Sequence, residues 1–153
     1  MSMEIARWLH LLGVIVWVGG MFFAYVVLRP SAAQLLEPPQ RLPLWSATLG
    51  RFFRWVWIAV APILGSGLHM TAALGGLDAP LHARTMLILG VIMMMIFAHV
   101  VMAPYAQLRR AVAAADWPAG GQALGRIRRL VGVNLVLGVV TVTIAILGRS
   151  AAG

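Results

Sequence analysis

The sequence predicts an all-α fold, an integral membrane four-helix bundle running up and down. Three observations carry that expectation. Hydrophobic residues make up 61% of the 153 residues and charged residues 10%, with a mean hydropathy of +0.91. A soluble domain averages about 45–50% apolar and about 25% charged. Four apolar runs, roughly 5–28, 52–74, 85–102 and 130–147, are long enough to cross hydrocarbon ~30 Å thick, which takes about 20 helical residues. Little chain is left between them, so residues 1–153 read as a single transmembrane domain.

The first run is too long for the apolar core of a secretory leader, and no small-x-small cleavage site follows it directly. It reads as a retained span. The first connection, "RPSAAQLLEPPQRLPLWSATLGR", carries four prolines and reads as a loop with a short interfacial helix. Trp45, Trp55 and Trp57 near it suit the headgroup belt, where an indole buries its ring and keeps its N–H wet. The second connection, "GGLDAP", is short and makes runs two and three antiparallel neighbours. After Met102 the third helix continues as "YAQLRRAVAAA", a basic amphipathic extension, and the third connection, "AADWPAGGQ", is compact. Pro62 and Pro104 each remove a backbone donor and are expected to kink their helices. Such short links give an up-down bundle.

Charge sets the orientation. Cysteine is absent, which excludes disulfides, thiolate ligands and cysteine nucleophiles. Lysine is absent too, and the twelve basic residues are all arginine, against four acids, for a net charge of +8. These arginines sit at span edges rather than in an aromatic-interleaved patch, so nucleic acid is not an expected partner. Arg29, Arg41, Arg51 and Arg54 cluster at the first connection; Arg109, Arg110, Arg126, Arg128 and Arg129 cluster at the third. Arg7, Arg84 and Arg149 lie at the opposite end. That asymmetry predicts connections one and three in the cytoplasm and both termini outside it.

Glu4, Glu37, Asp78 and Asp116 all lie at span ends or in connections, which argues against a buried carboxylate relay. The four histidines are more informative. At ~1.5 Å per residue, His10 and His69 each lie roughly 8 Å below the same membrane edge, on helices expected to be neighbours. Gly13 is i+3 from His10; Gly65 is i−4 and Ser66 i−3 from His69. Glycines on the histidine faces either let helices approach or leave room for a flat ligand. The plain alternative is a membrane histidine that only hydrogen-bonds a neighbouring helix. His82 lies at the outer mouth, near Arg84, where solvation is the plain reading. His99 is about 21 Å deep, with Met95 at i−4 and Met102 at i+3. Imidazole and thioether suit Cu(I), although "VIMMMIF" also reads as ordinary packing surface. In the fourth run Asn134, Gly138, Thr141 and Ala145 form a small and polar stripe facing the interior, with Asn134 expected near His99. No Ser/His/Asp order, HExxH or paired carboxylates are present, so hydrolytic chemistry is not indicated.

"LHLLGVIVWVGGMFFAYVVLRP" at the start and "RIRRLVGVNLVLGVV" opening the last span resemble the copper-resistance protein D (CopD) family of bacterial inner-membrane proteins. The resemblance implies a minimal four-span member in the inner membrane, handling copper in uptake or tolerance. Its histidine and methionine ligands then fall on His10, and more weakly on His69 and His99. The same opening also looks like the HemJ-type protoporphyrinogen oxidase, which implies haem and a lysine early in span three. Here "LHAR" offers Arg84 instead, which counts against the oxidase activity and leaves haem binding open.

Three readings follow. In the first, copper enters from the outer face, meets His82, then His10 and His69, and passes towards Met95, His99 and Met102. In the second, a b-type haem has His10 and His69 as axial ligands, cleared by Gly13 and Gly65, with propionates near Arg7, Arg84 and His82. That chain would be a haem-dependent membrane oxidoreductase; otherwise no enzyme is indicated. In the third, a cofactor-free scaffold uses Gly19, Gly20, Gly65 and Gly67 for helix packing or a homodimer.

Overall fold

The computed structural model describes residues 2–150, apart from the side chains of Arg149 and Ser150, so the expected Arg149 charge at the outer end lies outside the described residues. Helix α1 (Met3–Phe22) starts at Ser2, whose Oγ accepts the Ile5 N–H at 3.3 Å, with Glu4 in the first turn. A π-helical turn (Phe23–Leu28) and α2 (Arg29–Leu35) prolong it into one rod. Helix α3 (Pro38–Ala73), a 3₁₀ turn (Gly76–Asp78) and α4 (Leu81–Val100) follow. A second π turn (Val101–Tyr105) and α5 (Ala106–Ala113) lengthen the third rod, and α6 (Trp117–Ser150) is the fourth. All four rods are long and apolar enough to cross a membrane, at 33, 36, 33 and 32 residues.

The expected loop at 29–51 is helical instead. Only Leu36 and Glu37 interrupt the helices there, because each proline finds a tolerated position. Pro38 and Pro39 occupy the first turn of α3, where no N–H is needed. Pro30 follows a π turn in which the Arg29 N–H bonds the Ala24 carbonyl, five residues back. A wider turn of this kind relieves the clash of a proline ring with the preceding carbonyl. Pro104 is absorbed in the same way inside the second π turn, so the basic extension continues from α4 without a break. Pro43 and Pro62 ride inside α3, each without one helical hydrogen bond.

Tight connections make the rods alternate. Gly75 takes a left-handed conformation (φ 108°) after α3, which lets the chain reverse. At the third connection Ala115 does the same at φ 50°. Asp116 N–H reaches the Ala111 carbonyl at 2.9 Å and Ala115 N–H the Val112 carbonyl at 3.2 Å, the paired bonds of a Schellman ending. Asp116 Oδ1 then accepts from Ala119 N–H at 3.0 Å and caps α6.

Packing follows the small residues. Along α1 the heptad-spaced Ala6, Gly13 and Gly20 face α3, and a side chain at Gly20 would run into the Phe52 ring. Trp17, Phe53 and Phe97 meet edge to face at the centre, with centroids 5.6–5.9 Å apart. Tyr105 crosses over Gly50 to donate to the Ser46 carbonyl at 3.1 Å, tying the third rod to the second. Trp45 belongs to this core (7% exposed), not to the headgroup belt. The helical first connection carries it inward. Trp57 packs on Phe97 at 5.0 Å and is half exposed; Trp55 points outward.

Candidate functional site

His10 lies on the α1 face that carries Ala6, Gly13 and Trp17, so it is aimed at α3. Its Nδ1 is 3.1 Å from the Ile63 carbonyl and 3.0 Å from Ser66 Oγ. A carbonyl oxygen can only accept, so Nδ1 carries a proton, and in the neutral ring Nε2 then keeps the lone pair. Ser66 fits that assignment. Its hydroxyl donates to the Pro62 carbonyl, leaving an oxygen lone pair for Nδ1–H. Ser66 itself is buried (2% exposed). The Gly67 position faces the His10 ring, at 3.5 Å from Cε1 for an added Cβ. A histidine among apolar residues is therefore oriented by two acceptors from the second span, with one nitrogen left for other chemistry.

Depth matching pairs His10 with His69; the structure gives His10 a partner three residues deeper in α3, at Ser66. His69 follows Ser66 by three residues on the same side of α3 and is half-buried. The two glycines differ. Gly13 is buried, and a Cβ there would press on Ile63 and lie 3.1 Å from the Ala59 carbonyl, so its missing side chain serves close helix contact rather than room for a macrocycle. A Cβ at Gly65 would meet nothing within 4 Å.

The remaining residues spread out. His82 is half-buried at the start of α4, where it packs against Gly148 of α6. Arg84 donates Nη1–H to the Leu77 carbonyl at 3.1 Å and so braces the second connection. Arg7 is exposed. Met95 (60% exposed), His99 and Met102 (77% exposed) share the outward face of the third rod, opposite buried Met93, Phe97 and Val100. Asn134 is buried, as its stripe predicts, but its Nδ2 donates to the Met93 carbonyl at 3.3 Å rather than approaching His99. Its Oδ1 has no partner among the described residues. Those residues contain no group of three or more His, Cys, Asp or Glu able to hold a metal ion.

Sequence reasoning placed Ser66 beside His69 and missed it as the partner of His10. The available signal was a hydroxyl four residues after Pro62, on the glycine-flanked face of α3.

The family model described as copper resistance protein D covers residues 46–147, about two-thirds of the chain. It takes in most of the second rod and the third and fourth rods with the closing "RIRRLVGVNLVLGVV", His69, His82 and His99, and begins after the opening stretch that holds His10. No curated protein and no solved structure matches the chain. With four membrane-length helices and this match across most of the bundle, the chain belongs to the copper resistance protein D family.

Proposed function

We propose that the protein handles copper in the membrane and that Nε2 of His10 is its principal ligand, with His69 one turn nearer the membrane surface as the second. The observation that carries this reading is the Nδ1–H bond of His10 to the Ile63 carbonyl and Ser66 Oγ. Metal-binding imidazoles characteristically donate their other N–H to a carbonyl or similar acceptor, which fixes the ring and raises the basicity of the ligating nitrogen. Imidazole and thioether donors suit copper without help from carboxylates or thiolates, and this chain has no cysteine and no carboxylate inside its apolar runs. Family membership supports copper as the cargo. The outward Met95–His99–Met102 face is a separate candidate, reached from the bundle surface rather than through its interior.

Titration of the purified protein with Cu(I) against a chromophoric chelator tests this. His10→Ala should abolish the tightest site and His69→Ala should weaken it. Ser66→Ala should weaken it by roughly 10–100-fold, the usual loss when a ligand's supporting hydrogen bond is removed. Affinity unchanged in both histidine variants overturns the proposal.

A further inference from the structure

A cleft of about 530 Å³ opens between the first, second and fourth rods, at the end of the bundle remote from His10. Its volume falls in the range of small-molecule sites, about 300–1,000 Å³. Three arginines line it, Arg29, Arg41 and Arg128, together with Tyr25, Trp45 and Trp117, and no acidic residue does. Arg29 and Arg41 are half-buried, so their charge is only partly met by water. The Arg29 guanidinium rests over the Tyr25 ring, 5.0 Å from its centroid. On α6, Gly121 and Gly125 stand along the cleft, and an added Cβ at either would meet nothing within 4 Å. Side chains there would fill the space.

We infer that this cleft binds the phosphate headgroup of an anionic phospholipid. Arg29 directly follows the apolar run ending at Leu28, and Arg128 stands two residues before the run that opens at Leu130. Both guanidiniums therefore lie at headgroup level. Below them the cleft is lined by Ala24, Leu49 and Val131, a floor suited to the upper part of an acyl chain. Basic pockets between membrane helices recognise anionic headgroups in this way. A soluble phosphate would use the arginines and leave the apolar floor without purpose. This inference does not depend on copper binding.

Native mass spectrometry on the full chain tests it, with phosphatidylglycerol, phosphatidylcholine and glycerol phosphate as separate probes. Phosphatidylglycerol should bind in preference to the other two. Each arginine near a lipid surface is worth about fivefold in affinity, so Arg29→Gln with Arg41→Gln should cost roughly 25-fold. Gly125→Leu, which fills the cleft and leaves the charge unchanged, should abolish the preference. Arg109→Gln with Arg110→Gln removes the same charge from exposed positions outside the cleft and should leave binding intact. Equal loss in both arginine pairs overturns the site in favour of diffuse attraction. Glycerol phosphate binding as well as the lipid overturns the lipid assignment. Should the arginine pair fail to fold, competition between the two lipids on the unaltered chain decides alone, and no preference overturns the inference.

Discussion

Gly13 and Gly65 look equivalent in the sequence, each one helical turn from a membrane histidine. In the structure Gly13 is the point where α1 and α3 touch, and Gly65 faces open space. Gly13→Ala should therefore destabilise the protein by about 1–3 kcal/mol, the usual cost of overpacking, and loosen the His10–Ser66 contact. Gly65→Ala should be neutral or stabilising by up to about 1 kcal/mol, since it adds helix propensity without a clash. Thermal unfolding in detergent separates the two, and equal effects would contradict the packing described. What sequence conveys at this scale is which side chains are improbable in lipid, and that rule found His10 and Asn134. It does not convey rotation or axial offset between helices. Ser66 lies only about 4.5 Å of helix rise from His69, yet that offset decides which residue His10 meets.

The helices are longer than hydropathy makes them. Apolar length identifies the hydrocarbon-spanning part of each rod, but residues 29–51 are polar enough, and rich enough in proline, to read as a connection, whereas the extension after Met102 is legible as a basic amphipathic helix. The helical state of residues 29–51 depends on where each proline falls relative to a π turn or a helix start, a detail that periodicity does not carry. The turns are more legible: "GGLDAP" reads as tight and is, and "AADWPAGGQ" narrows to Ala114–Asp116, with residues 117–122 already in α6. The second contains an avoidable strain. Ala115 holds a left-handed conformation (φ 50°) that glycine adopts without its Cβ penalty. Ala115→Gly should raise stability by about 0.5–1 kcal/mol, the relief being partly offset by the greater freedom of glycine in the unfolded chain. A lowered melting temperature would contradict the Schellman geometry.

At 1.5 Å per residue the rods are about 50 Å long, whereas the hydrocarbon layer is ~30 Å thick. About 20 Å of bundle must project beyond the apolar layer, and the positions of the apolar runs put that excess at the end bearing the first and third connections. The same end carries nine of the twelve arginines, so charge asymmetry and helix overhang coincide. The positive-inside rule then predicts that this projecting end lies in the cytoplasm, with the His10 end facing outward. The native chain lacks cysteine, so single substitutions report topology without background. Leu77 in the second connection is 91% exposed, and Ala114 in the third is exposed as well. In intact cells a membrane-impermeant maleimide should label Leu77→Cys at once and Ala114→Cys only after the membrane is opened. The reverse pattern would invert the orientation. It would also place the arginine cleft on the outer leaflet, and the copper site proposed at His10 would then be filled from inside the cell.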